Sequence, residues 1–173
     1  MKRVMKGQTW SRSVAANGRP LRHRMKNDIS WDMPRVVLDT DVIVTALRSA
    51  TGGSNAVLRE VAHGRLTPLV APALFLEYET VLKRPEQRLV HGLGLREIDR
   101  FLAALAAASE AVEVSFQWRP QLRDANDEMV LEAAVNGRAD ALVTHNVRDF
   151  AKGAERFGLR VLRPGELLKE LRS

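Results

Sequence analysis

Short apolar, β-branched runs alternate along this chain with segments of helical period, and that alternation constrains the fold more than any other feature. The runs at 35–38, 66–70, 111–114, 140–144 and 160–162 read as strands. Helical patterns begin at Val42 and occupy 54–64, 72–84, 95–109, 124–136 and 164–171. Gly64 and Gly137 are placed to end two of these helices, Pro72 opens one, and Pro85 lies just past its end. Every strand-to-strand connection is long enough for a crossover. The expected fold is therefore α/β: three layers, α/β/α, around a central, mainly parallel twisted sheet.

Composition narrows the function classes. The 173 residues are long enough to bury a core. There is no cysteine, which excludes a disulfide framework, thiolate metal sites and a cysteine nucleophile, and permits a reducing cytoplasm. No apolar run approaches the roughly 20 residues of a membrane span, and residues 1–33 lack the apolar core of a secretory signal. The formal net charge of +6 is unevenly placed. Residues 1–33 hold eight Lys or Arg against Asp28 and Asp32, while 34–173 hold 19 basic and 19 acidic residues. The basic character thus belongs to an N-terminal extension without hydrophobic period, expected to be disordered; a globular domain is expected over 34–173.

In open α/β sheets, sites form beyond the carboxyl ends of the strands. The first strand runs into Asp39 and Asp41, and the fourth into Thr144, His145 and Asn146, with Asp149 a turn later. Asp124 and Asp127 stand at a helix start, and Glu77 lies within a helix beside Leu74, Tyr78 and Val81. Singly, each has a plain explanation. Asp39 is as readily a helix cap as a catalytic acid, and Asp124 reads better as a cap. Glu77 reads as a solvated helical residue, and Asp149 as the cap of a turn. Together, three or four carboxylates at one sheet end require a divalent cation to offset their repulsion. An all-oxygen set suits Mg²⁺ or Mn²⁺, and the matching chemistry is phosphodiester hydrolysis. Histidine-metal spacings, a GxSxG elbow, a Walker A loop and GxGxxG are all missing. His145 has no neighbour in sequence to orient it and reads as a surface or supporting group.

Four stretches, in this order, resemble the motifs of PIN-domain nucleases, in the branch of VapC-like toxins of toxin–antitoxin systems: VVLDTDVIV at 36–44, LFLEYETVLKRP at 74–85, RDANDEMVL at 123–131 and ADALVTHNVRDF at 139–150. The resemblance spans about 34–171. It implies Mg²⁺- or Mn²⁺-dependent cleavage of single-stranded RNA, a small antitoxin partner, a homodimer and a cytoplasmic location. It implies Asp39, Glu77 and Asp127 as catalytic metal ligands, with Glu79 the competing choice for the second acid. Asp149 would supply the fourth carboxylate, Asn146 standing where many members carry Asp. Asp41 and Asp124 are further ligand candidates, Thr144 and Asn146 supporting groups, and Arg123, Arg138 and Arg148 candidate RNA contacts. The chain departs from the pattern at Asp41, where the family usually has Asn, which adds a negative charge to the site.

Two other readings remain open. The Asp39-Thr-Asp41 spacing also resembles the nucleophile and general acid of haloacid dehalogenase-like phosphatases. Those enzymes need a phosphate-binding lysine, and beyond residue 33 the chain has only Lys83, Lys152 and Lys169, none ending a strand. Alternatively, Asp41 and Asn146 are compatible with a catalytically inactive PIN-like module that binds RNA or protein.

Overall fold

A computed structural model describes residues 33–117 and 119–172. The N-terminal extension, apart from Met33, lies outside the described residues. The elements follow in the order β1 (Arg35–Leu38), α1 (Thr40–Arg48), α2 (Gly53–Ala62), β2 (Thr67–Val70), α3 (Pro72–Leu82), α4 (Pro85–His91), α5 (Leu95–Ala108), β3 (Glu110–Ala111), α6 (Ala125–Asn136), β4 (Ala141–Val143), α7 (Val147–Arg156), β5 (Val161–Leu162) and α8 (Pro164–Glu170). The strands form one five-stranded sheet in the order β3-β2-β1-β4-β5, and all its pairings are parallel.

That order carries a directional switch. From β1 the chain steps outward to β2 and β3, then crosses back to the other side of β1 for β4 and β5. Right-handed crossovers in opposite directions place their helices on opposite faces. Accordingly α1 packs on α2 and α3, α3 on α5, and α8 on α2, while α6 packs on α7. Helices on both faces explain why Val36, Val37, Leu38, Leu142 and Val143 are all buried, giving continuous apolar strands instead of alternation.

Pro68 is an apparent contradiction, since it sits in an interior strand and has no N–H for the ladder. Its neighbour Thr67 donates to Pro34 O on the β1 side at 3.0 Å, so Pro68 faces β3. Pairing with β3 begins only at Leu69, and the missing donor forfeits no ladder bond.

Sequence expectation and structure differ in three places. Pro85 does not merely follow α3; it is the first residue of α4, because proline that stops one helix is well suited to begin another. Helix α7 was not expected: its segment is short and mostly polar, although Phe150, Gly153 and Ala154 fall at helical spacing on its buried side. The predicted strand over 111–114 ends at Ala111. Beyond it the chain is held by α6 instead of a strand: Asn136 Oδ1 accepts from Ser115 N (3.2 Å) and Phe116 N (3.1 Å), Glu132 takes Arg119 in a two-point pair at 2.8 and 2.9 Å, and Glu128 Oε1 accepts from Gln121 N (2.5 Å) and Leu122 N (2.8 Å). Glu128 and Glu132 are buried, and these bonds satisfy them.

Three helices leave for a strand through the same turn, in which the residue after the cap is left-handed and two N–H groups fold back onto the last carbonyls. Gly64 (φ 69°) and Gly158 (φ 60°) occupy that position after α2 and α7. After α6 it is held by Arg138 (φ 51°), with Arg138 N on Val135 O (3.1 Å) and Ala139 N on Ala134 O (2.9 Å). Gly137, expected to end the helix, is its cap residue with φ −74°, and glycine is needed there for its small size. A Cβ there would meet Ala133 O and Val112 Cγ2 at 2.8 Å and Leu69 Cδ1 at 3.0 Å. Adjacent substitutions should therefore act in opposite directions. Arg138→Gly should stabilise by about 0.5–1 kcal/mol, and Gly137→Ala should cost about 1–3 kcal/mol by overpacking. Urea midpoints of the two variants test this, and equal shifts of the same sign would refute it.

Candidate active site

The strand order reverses beside β1 and β4, and the carboxyl ends of those two strands meet at the switch point. The ladder reaches the site itself: Asp39 N donates to Val143 O at 2.9 Å, so the Asp39 backbone is a rung of the sheet. Asp39 then serves as the first residue outside α1, with extended backbone (φ −67°, ψ 153°). Its carboxylate, 6% exposed, accepts from Thr144 Oγ1 at 2.7 Å. Thr144 is fully buried, and its Oγ1 in turn accepts from Asn146 N at 2.9 Å. A single hydroxyl thus ties the first strand's acid to the turn after the fourth strand.

Asp41 closes the same turn from the other side. Its Oδ2 accepts from His145 N at 3.1 Å and Asn146 Nδ2 at 3.3 Å, with Thr144 Oγ1 at 3.4 Å. The 144–146 turn therefore supplies Asp41's partners, and the extra charge at this position acts as a latch on that turn. Beneath it, Tyr78 of α3 donates its buried hydroxyl to Leu38 O, fixing α3 against the end of β1.

The third acid arrives from α6. Asp127, half-buried in the first turn, stands close enough for its charge and that of Asp39 to act on each other. Burial first, and then Asp41, raise Asp39 from the ordinary 3.8 to about 6, against the opposing Thr144 bond. Burial and then the charges of Asp39, Asp124 and Asp149 raise Asp127 to about 6 as well. Asp41 is also raised, chiefly by burial. Among the described residues, no ion pair reaches Asp39, Asp41, Asp127 or Asp149. Among the described residues, this end of the sheet is therefore a concentration of negative charge without a paired cation.

The remaining expected residues divide. Asp124 caps α6, accepting from Asn126 N at 2.9 Å; it is exposed, and this is the capping reading. Asp149, exposed in the first turn of α7, contributes to the field at Asp127. Glu77 is half-buried beside the stripe of Leu74, Tyr78 and Val81 on α3, yet it is not among the leading charges acting on Asp39 or Asp127. Glu79 is committed elsewhere, with Lys83 at 2.6 Å. Among the described residues no three His, Asp or Glu side chains form a ready-made metal cage. Arg123 and Arg148 are exposed beside the acids, at the starts of α6 and α7. Arg138 follows α6, roughly 18 Å of helix away from Asp124, at the opposite end of the sheet.

The expectation that nothing orients His145 is corrected. Its Nε2 lies 2.8 Å from Ser54 Oγ, and Ser54, at the start of α2, is 1% exposed. A separation of 91 residues hides this pair from local sequence reading. The only available hint is a hydroxyl at the start of a helix whose Gly52-Gly53 entry permits close approach. The lysine required by the phosphatase alternative is not at the site: Lys83 pairs with Glu79 and Asp99, and Lys152 and Lys169 are exposed on α7 and α8.

The PIN domain family model matches residues 35–148, from the first strand through the Thr144 turn. The chain belongs to the PIN domain family. Two solved structures share the fold of this PIN domain. VapBC2 from Rickettsia felis, bound to a DNA fragment from its promoter, aligns with a TM-score of 0.52 at 17% identity, over 75% of this chain and 98% of that one. VapBC-1 from nontypeable Haemophilus influenzae aligns with a TM-score of 0.53 at 16% identity, over 76% and 98%. No curated protein sequence gives a match.

The raised carboxyls make a signed prediction. In the folded PIN domain Asp39 and Asp127 hold protons up to about pH 6, which an unfolded chain releases near 3.8. The folded state then binds more protons in that window, so metal-free stability falls as pH rises through it. Mn²⁺ should raise Tm by several degrees at pH 7.5, and this increment should shrink below about pH 6, where protons compete for the carboxylates. Thermal scans with and without Mn²⁺ across pH 5–8 measure it; an increment independent of pH would contradict the coupling.

Proposed function

We propose that this PIN-domain protein is a metal-dependent endoribonuclease that cleaves single-stranded RNA, and that it is the toxin of a toxin–antitoxin pair. The observation that carries the reading is the pairing of Asp39 with Asp127, two carboxyls raised to about 6 by burial and by neighbouring carboxylates at the sheet's switch point. Such a pair is costly unless a cation or a proton offsets it.

The donor chemistry fits Mg²⁺ or Mn²⁺. Mg²⁺ is commonly held through one or two carboxylates, keeping waters and substrate phosphates for its other positions, so a full protein cage is not required. Asp39 and Asp127 would hold the ion, with Asp149 and Glu77 completing its surroundings. When bound, it supplies charge neutralisation and Lewis-acid activation for phosphodiester hydrolysis. The protein's own contribution is positional. The ladder bond of Asp39 and the Thr144 hydroxyl fix one carboxylate, and the start of α6, pinned through Glu128 to Gln121 and Leu122, fixes the other. Arg123 and Arg148, exposed at the same end, are placed to meet phosphates of the bound strand. Arg138, at the far end, is not. The toxin reading, with a small antitoxin partner, a homodimer and a cytoplasmic location, is supported by the motif resemblance and the fold shared with VapBC structures.

Asp39→Asn keeps an acceptor for Thr144 while removing charge. It should reduce Mn²⁺-stimulated cleavage of single-stranded RNA by about 10²-fold or more, and should raise metal-free stability at pH 7 by about 1 kcal/mol. Cleavage at the wild-type rate would refute the proposed role of Asp39. A wild-type protein without Mn²⁺-stimulated cleavage would favour a binding module instead.

A further inference from the structure

The Ser54–His145 pair is not explained by the acid cluster. His145 is exposed, while its Nε2 reaches a hydroxyl buried in the start of α2. Ser54 is too buried to act as a nucleophile on a strand of nucleic acid. Its hydroxyl has His145 as its one hydrogen-bond partner among the described residues. If Nε2 carried the proton, the buried hydroxyl hydrogen would have no acceptor, a costly arrangement. With the hydroxyl donating, Nε2 accepts, and the ring proton then sits on Nδ1. His145 N is held at the same time by Asp41 (3.1 Å), so backbone and ring are fixed from opposite sides.

We propose that Ser54 is a positioning residue that holds His145 in its Nδ1–H tautomer, and that this N–H donates to a phosphate oxygen of single-stranded RNA beside the acid cluster. This rests on the nuclease reading. The physical advantage is positional. A ring whose Nε2 is anchored to Ser54 and whose backbone N–H is held by Asp41 keeps its remaining nitrogen in place when the strand binds. Its place, one residue after Thr144 and one before Asn146, puts it at the rim of the cluster on the side of β4.

Two measurements on the full chain test this. Imidazole ¹⁵N shifts recorded near pH 9 report the tautomer without reference to any activity; Nδ1–H is expected in wild type, shifting toward Nε2–H in Ser54→Ala. An Nε2–H wild type overturns the proposal. With a mixed-sequence single-stranded RNA oligonucleotide and Mn²⁺, His145→Ala should raise KM about tenfold with a smaller change in kcat. His145→Asn, whose amide N–H stands near the Nδ1 position, should restore most of it. Ser54→Ala should act in the same direction as His145→Ala and add little to it in the double variant. An unchanged KM in His145→Ala, while Asp39→Asn is inactive, overturns the proposed contact and leaves the nuclease reading standing. Wild type that cuts no RNA overturns the nuclease reading and the RNA contact together, and the tautomer result then stands alone as a statement about the pair.

Discussion

The parallel pairing of β1 with β4 is the constraint on which the site depends. The two strands are about 105 residues apart, as the Asp39–Thr144 bond records, and no local preference brings them together. What joins them is burial: Val36, Val37 and Leu38 pair with Ala141, Leu142 and Val143 in register, and all six are buried. A slip of one residue would turn those side chains to the wrong faces. Register is therefore set by the core, and the core in turn sets Asp39 opposite the end of β4. The acid at the switch point is positioned by hydrophobic packing two or three residues away, before any polar contact contributes.

Polar contacts then refine this placement at a cost in stability. Burial and mutual repulsion raise Asp39, Asp41 and Asp127 together, and even the Tyr78 phenol is pushed well above its usual range by burial and by the Asp39 charge. Hydrogen bonds offset part of this cost, from Thr144 to Asp39 and from the 144–146 turn to Asp41, while the 121–122 backbone, bonded to Glu128, fixes the start of α6 that carries Asp127. Glu128 and Glu132 show the contrast. They are buried acids on the same helix as Asp127, but each has its hydrogen-bond partners, whereas among the described residues no cation pairs with Asp127. Charge that is satisfied within the protein is structural; charge left uncompensated at a strand end is available for a ligand.

The legible part of this molecule was the part governed by short-range pattern. Strands β1 and β2, helices α3, α5 and α6, and the left-handed turn at Gly64 follow from apolar period and from proline and glycine placement. The acids at the strand ends followed from the same reading. Helix α7 was missed because its segment is short and mostly polar, and β3 is short for a long-range reason: α6 holds the chain beyond it through Asn136 and Glu132. Gly137 was placed correctly at the end of α6, but the crowding against Leu69 and Val112 that requires glycine there is invisible until the sheet and α6 are brought together. The Ser54–His145 bond has no local trace at all. The misses at β3, at Gly137 and at the Ser54–His145 pair are all contacts between distant segments.

Asp41 illustrates how a departure from a family pattern should be weighed. By sequence it is an added charge, which could either strengthen a metal site or disable it. By geometry its carboxylate is occupied by His145 N and Asn146 Nδ2, so its charge is partly spent on holding the β4 turn. Asn146 is the position where many relatives carry an acid, and here it donates to Asp41. Against the pattern that the motifs resemble, the carboxylate and the amide stand in exchanged places across this 3.3 Å contact. Either arrangement puts one carboxylate and one amide there, and in this chain the Asn146 amide donates to the Asp41 carboxylate, so the added charge at Asp41 has a partner in the β4 turn.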